Sequence, residues 1–230
     1  HGTLYYLGNN DQDQYHRNGV GIFVSAKHTQ CVISHSLILD RLMILQIQGQ
    51  LFKINIIQVY APTFTNNNGD KLEDLYNSIN KILGKLKKND ITVIIGDYNA
   101  KVGMGRREDL IGDFGLGLSI GRGDRLFEFC QENDMVITNT WFKLPKRRLY
   151  TWKSPADNNH SPIRNHIDYI LVNKRHRNCI TRVTTFPGAD IGSDHVPLVA
   201  DIKLKLKAIK PKCRNQHYDI TRIEIQWNLG

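Results

Sequence analysis

Residues 91–97, Ile-Thr-Val-Ile-Ile-Gly-Asp, constrain the fold of this chain more than any other stretch. A run that is apolar at consecutive positions, with no polar residue on every second one, predicts a strand covered on both faces. Layers are then needed on either side of its sheet, so the chain is expected to be α/β. The run leads straight into Gly-Asp-Tyr-Asn-Ala (96–100), which sets a carboxylate and an amide at the strand's end.

Other segments supply partners. GVGIFVS (19–25), RLMILQIQ (41–48) and LFKINIIQVYA (51–61) read as strands, the last two joined by a hairpin at Gly49-Gln50. Leu72, Leu75, Ile79, Ile82 and Leu86 recur at helical spacing and predict a helix over 70–88. Lys85, Lys87 and Lys88 crowd its end, where cations suit the helix dipole. The glycine-rich stretch 101–123 reads as a surface loop or a functional one. A short helix is expected from Asp124, with Leu126, Phe127 and Cys130 inward. MVITNTW, RRLYTWKS, RNHIDYILV, CITRVTTF and SDHVPLVADIKL predict further strands. Lys203, Lys205 and Lys207 alternate with leucines as on an edge strand. No repeat or linker divides these segments, so one domain over 1–207 is expected, followed by a connector over 208–230.

Composition narrows the setting. The chain has 230 residues, enough for one substantial core, and 40% hydrophobic content. No apolar run reaches the ~20 residues of a membrane helix, and no signal-peptide pattern is present, so no membrane partner is expected. Cys31, Cys130, Cys179 and Cys213 lie far apart, which predicts free thiols in a reducing compartment, not zinc or disulfides. A net charge of +9 and a pI near 9.4 suit a polyanionic partner. The chain begins at His1 and is expected to be a fragment.

Four places carry chemistry. Asp97 and Asn99 stand at i and i+2, a spacing that puts two side chains on one face of an extended segment. They could activate a water and bind a phosphoryl oxygen, or simply form a polar turn. Tyr60, in VYAP, is either a strand-end tyrosine pinned by Pro62 or a phenol donating to a phosphate. In Ser193-Asp194-His195, Asp194 suits a hard cation such as Mg²⁺, and His195 suits a proton carrier or phosphate contact. Asp168 lies among Ile167, Tyr169, Ile170 and Leu171 and should be paired, because burying a lone charge is costly. It is the best partner for the His195 imidazole; a purely structural pair is the alternative.

Taken in order, VYAP, GDYNA, YTWKS, HIDYILV and SDH resemble the endonuclease/exonuclease/phosphatase superfamily, whose fold is DNase I-like. TNTWF (138–142), RLYTWKSP and RNHIDYILV resemble most the apurinic-type endonuclease domain of RTE-like non-LTR retrotransposons and the related craniofacial development protein 2-like family. The resemblance spans 2–207 and implies a four-layer, two-sheet α/β sandwich. It implies that Tyr60 contacts the scissile phosphate or leaving group, Asp97 orients or deprotonates water, and Asn99 binds a phosphoryl oxygen. Asp168 would hold His195, Asp194 would help carry Mg²⁺ or Mn²⁺, and Thr151 and Ser193 would support the site.

The reaction implied is in-line hydrolysis of double-stranded DNA leaving a 3′-hydroxyl, which primes a fused reverse transcriptase and places the protein in the nucleus. The polar turn 154–165 would reach into DNA. Lys143, Lys146, Arg147, Arg148, Lys153 and Arg164 would contact phosphates there, while His160 and His166 read as surface residues. The resemblance also implies an asparagine and a metal-binding glutamate upstream. Here the first glutamate is Glu73, and Asp11 and Asp13 follow no strand. The expectation is therefore an N-terminally truncated domain that lacks its first strands, binds Mg²⁺ weakly and cleaves poorly. Two other readings stand beside it: an inactive, domesticated DNA- or chromatin-binding module of this fold, and a phosphatase for a small substrate. The basic surface favours DNA.

Overall fold

The computed structural model describes residues 1–7, 19–63, 69–158, 160–189 and 191–204. The chain runs through β1 (Gly2–Leu7), β2 (Val20–Ser25), the one-turn α1 (Ala26–Thr29), β3 (Val32–Leu39), β4 (Leu42–Gln48) and β5 (Lys53–Tyr60). Next come α2 (Gly69–Leu83), β6 (Ile91–Asp97), α3 (Gly121–Glu132) and β7 (Met135–Ile137). Then follow β8 (Trp152–Lys153), β9 (Arg164–Asn165), β10 (Asp168–Asn173), β11 (Ile180–Thr185) and β12 (Leu198–Ile202). Among the described residues six strands form the central sheet, in the order β3-β4-β5-β6-β10-β7.

The apolar run at 91–97 is β6, and Ile91 through Ile94 are buried at consecutive positions. It lies parallel to β5 through the crossover helix α2, while β10 pairs with its other edge antiparallel. Parallel strands finish at the same end of a sheet, so Tyr60 and Asp97 are register partners. Because β10 runs the other way, it begins where they end, and Asp168 is the partner of Asp97. Gly96 permits this closeness. Its φ is +148°, and a Cβ there would stand 1.8 Å from the Val59 carbonyl oxygen.

Register is also pinned by a polar chain across the sheet. Ser34 donates to Gln46, Gln46 to Asn55 and Asn55 to Thr92, at 2.9, 2.7 and 3.3 Å. A one-residue slip would send these side chains to opposite faces and break every link.

On α2, Leu72, Leu75, Tyr76, Ile79 and Ile82 are buried. Tyr76 meets Phe129 of α3, with ring centroids 4.9 Å apart. The antiparallel pairs β1–β2 and β11–β12 add Val20, Ile22, Val24, Ile180 and Val183 to the same core. The architecture is an α/β sandwich.

Several expectations are corrected in detail. The helix predicted to Lys88 ends at Leu83, because Gly84 follows and the chain turns. That leaves Lys85, Lys87 and Lys88 past the helix end. The second helix begins at Gly121, not Asp124, since its first turn packs on residue 101: a Cβ on Gly123 would meet the Lys101 carbonyl oxygen at 1.7 Å. MVITNTW and RRLYTWKS give strands of only three and two residues, with a 3₁₀ turn at Thr138–Trp141.

The strands β1 and β3 were not expected. From Ser34 to Leu39, β3 is exposed, so it lacks the apolar alternation that marks a half-buried strand. The loop 101–120 is tied shut by the Ile120 amide on the Lys101 carbonyl and buries Leu110 and Ile111. Cys31 and Cys130 are buried free thiols, and Cys179 is a half-buried one. Among the described residues no helix is long and apolar enough to cross a membrane. Asp11, Asp13, Lys205, Lys207, Cys213 and the 208–230 connector lie outside the described residues.

Candidate active site

The strand ends at Tyr60, Asp97 and Asp168 open onto a cavity of about 840 Å³, which Asn99, Lys101, Trp152, Asp194 and His195 also line. Cross-strand register partners point to the same face, so the phenol and two carboxylates share one side by construction. The imidazole arrives from another direction. The segment 194–196 pairs with 151–153: the Lys153 amide donates to the Asp194 carbonyl and the Val196 amide to that of Thr151. His195 Nδ1 then sits 3.2 and 3.0 Å from the two Asp168 carboxylate oxygens, and its Nε2 is 4.0 Å from Asp97 Oδ2.

Asp168 is fixed from behind. Thr151, fully buried, accepts the amides of Ile167 and Asp168 on its hydroxyl at 3.0 and 3.1 Å. Asn139 donates to the Asp168 carbonyl at 3.0 Å and accepts the Ile170 amide at 2.9 Å. These side-chain bonds take the place of a longer β7 beside β10.

Asn99 adopts φ +47°, a conformation asparagine tolerates better than most residues. The turn brings its backbone amide to Asp97 Oδ1 at 2.8 Å and its side-chain amide to Asp97 Oδ2 at 3.1 Å and the Ala61 carbonyl at 2.9 Å. Its donors thus hold Asp97 in place. Tyr60 stacks under the Arg41 guanidinium, 4.7 Å from the ring centroid.

The electrostatics follow from crowding. Burial, then the neighbouring Asp168 charge, pushes Asp97 up to about 6, against a smaller lowering by the Asn99 amide and His195. The hydrogen bond that the His195 ring donates to the Asp168 carboxylate raises the His195 pKa, with desolvation opposing it. Asp97 thus takes up a proton more readily than an ordinary carboxylate, and the imidazole beside it favours its charged form.

Asp194 is exposed at the rim, where its Oδ2 accepts the Trp152 indole N–H at 2.7 Å. Ser193 is exposed and accepts the His195 amide on its hydroxyl at 3.1 Å. Among the described residues Asp97, Asp168 and His195 form a group of possible metal ligands, with ligand atoms within 4.8 Å of one another. Carboxylate oxygens are the donors a hard divalent cation prefers, and two of them crowd a half-buried position. The site therefore fits such a cation.

None of the six basic residues expected to meet DNA is among those that line this cavity. Lys143, Lys146, Arg147 and Arg148 are exposed around a 3₁₀ turn at Lys146–Arg148. Arg164 makes a forked pair with Asp157 at 3.1 Å and lies over the Tyr150 ring, and Lys153 Nζ is 3.7 Å from the same carboxylate. Those two brace the 154–165 turn. His160 is exposed, but His166, also read as a surface residue, is buried. It stacks on Tyr169 at 4.8 Å, and its Nε2 lies 2.9 Å from the Asn139 side-chain amide. Burial lowers its pKa to about 4.

Sequence reasoning missed Asn139, Trp152 and Lys101. Asn139 and Trp152 stand inside motifs already singled out, TNTWF and YTWKS, so those motifs hold signals for both.

The profile of the Endonuclease-reverse transcriptase family matches residues 54–199, well over half of the chain. This chain belongs to the endonuclease/exonuclease/phosphatase superfamily. It is 42% identical over 211 residues to craniofacial development protein 2 of Bos taurus, covering 92% of this chain and 34% of that protein. The protein of the same name from Tragulus javanicus is 41% identical, with 92% and 35% covered. The chain thus spans about a third of the length of these relatives.

Among solved structures, the endonuclease domain of TRAS1, a telomere-specific non-LTR retrotransposon, superposes with a TM-score of 0.61 at 14% identity, covering 87% of this chain and 80% of that one. An AP endonuclease from Archaeoglobus fulgidus gives 0.63 at 17%, with 88% and 80% covered. At such identities these two establish a shared fold.

Proposed function

We propose that this chain is a metal-dependent DNA endonuclease domain of the non-LTR retrotransposon kind, acting in the nucleus and joined in its parent protein to a reverse transcriptase. The observation that carries the reading is the convergence of Tyr60, Asp97, Asp168 and His195 on one open cavity. Its substrate is double-stranded DNA, as the charge of +9 suits.

In this reading a water attacks phosphorus in line, the P–O3′ bond breaks, and a 3′-hydroxyl and a 5′-phosphate result. Asp97, held by Asn99, orients the water and takes its proton, a task suited to a carboxylate near pH 6. His195, kept charged by Asp168, donates to a phosphoryl oxygen as negative charge grows there. Tyr60 faces the leaving oxygen. Mg²⁺ or Mn²⁺, held by the carboxylates of Asp97, Asp168 and Asp194, would neutralise that charge and acidify the water. This small carboxylate set predicts weak metal binding and slow cleavage.

Supercoiled plasmid supplies the test. Nicking should need Mg²⁺, stop on chelation and stop in His195→Ala. A specific observation favours a second reading: the relatives at 41–42% identity bear the name of a developmental protein. Duplex affinity without any nicking would support an inactive DNA-binding module of this fold and overturn the first reading.

A further inference from the structure

Lys101 is the one lysine or arginine among the described residues that line the cavity, and the reaction just described gives it no part. Its main chain is held firmly. The carbonyl accepts the Ile120 amide at 3.2 Å and the Ser119 hydroxyl at 3.3 Å. The first turn of α3 presses on the same carbonyl, so closely that residue 123 must be glycine: a Cβ there would come within 1.7 Å. Yet the ammonium makes no hydrogen bond or ion pair with any described residue.

Three carboxylates, Asp97, Asp168 and Asp194, line the same cavity. A lysine placed only to neutralise them would close on one of them, as Arg164 closes on Asp157 at 3.1 Å. A cation on a clamped backbone, half-buried at the cavity wall and unpaired among the described residues, is poised for an anion that comes from outside.

Resting on the proposed nuclease reading, we infer that Lys101 binds a backbone phosphate of the nucleic-acid strand lying in the cavity, setting its register without reading its bases. Such a contact fits lysine, a point charge on a flexible stem, and it adds one released counterion to binding.

The test is equilibrium binding of the whole chain to a short duplex, with phosphorothioate linkages to resist hydrolysis and Mg²⁺ present, over a range of salt. Lys101→Gln should weaken binding roughly three- to tenfold at low salt, equally for two unrelated sequences. The plot of log affinity against log salt should become shallower by about 0.9. Lys101→Arg should keep most of the affinity and the original slope, which a lost fold would not, and thermal midpoints should match in all three proteins. A slope unchanged in Lys101→Gln while the unaltered chain binds duplex overturns this inference and leaves the nuclease reading standing. No duplex affinity in the unaltered chain overturns both.

Discussion

At one end of the central sheet stand Asp90 and Asn173, and at the other, on the same strand pair, stand Asp97 and Asp168. The first pair is satisfied within the chain. Asp90 accepts the Lys53 amide at 3.0 Å, while Asn173 accepts the Thr92 amide at 3.1 Å and donates to the Asp90 carbonyl at 3.1 Å. The second pair also finds partners, Asn99 for Asp97 and His195 for Asp168, yet its like charges stay crowded. Two carboxylates face each other across β6 and β10, and one of them is driven up to about 6 mainly by burial. The quiet end stitches strands together. The other end holds like charges close, an arrangement that costs stability and leaves room for a cation or a phosphate.

The sharpest way to break this contrast is to compare single substitutions at the two ends. His195→Ala should lower plasmid nicking by about 10²- to 10⁴-fold, the usual contribution of a positioned proton-transfer or charge-stabilising group. Asn173→Ala should leave nicking within about twofold while the protein stays folded. Comparable losses from both would show that the two ends do not differ in the way described.

Proton linkage sharpens it next. Asp97 has an ordinary pKa of 3.8 and about 6 when folded, so the folded form binds the proton more tightly. Its contribution is full below about 3.8 and is lost as pH rises through about 6. His166 runs the other way: 6.5 ordinarily and about 4 when folded, so its contribution is full above 6.5 and lost as pH falls towards 4. At about 1.4 kcal/mol per pH unit, each slope amounts to about 3 kcal/mol and they oppose one another in the same window. Asp97→Asn should uncover a stability that climbs between pH 4 and 6.5, and His166→Gln one that falls. Urea midpoints at the two pH values decide it, and slopes of the same sign in both variants would contradict the assignment.

The two ends also differ in how far the sequence announces them. Asp97, Asp168 and His195 were nameable because each interrupts or ends an apolar run, and a polar residue there asks for a partner. Their mutual placement follows once β5 and β6 are parallel and β10 is antiparallel, since register then does the rest. Thr151 was named as a support through the family resemblance, but other supports were hidden. Asn139 acts through side-chain bonds to the main chain of a strand far along the sequence, which no local spacing encodes. Lys101 read as the start of a loop, because only the fold bends residues 99–101 back over the cavity. His166 read as polar surface beside a turn, and packing on Tyr169 put it inside. In the helix beginning at Gly121, tertiary contact overrode the poor helix propensity of glycine.

Thr151 supplies a smaller test between the ends. Removing its hydroxyl strands two buried amides, so Thr151→Ala should cost about 1–3 kcal/mol in urea denaturation, while Thr151→Ser should cost less than half of that. Unlike Asn173→Ala, it should also reduce nicking, because the amide of Asp168 is one of the two. A loss of stability with full nicking would detach Thr151 from the site.

The mildest effect concerns the cation. If Mg²⁺ binds among Asp97, Asp168 and Asp194, it stabilises the folded chain by mass action, by about 1.4 kcal/mol at ten times its dissociation constant. A cation and a proton compete for Asp97, so each must displace the other. The thermal midpoint should therefore respond weakly to Mg²⁺ below pH 6 and more strongly above it, where Asp97 gives up its proton readily. Asp97→Asn should lose both the response and its pH dependence, and Asn173→Ala should keep them. A Mg²⁺ response that ignores pH, or survives in Asp97→Asn, would place the cation away from the crowded end of the sheet.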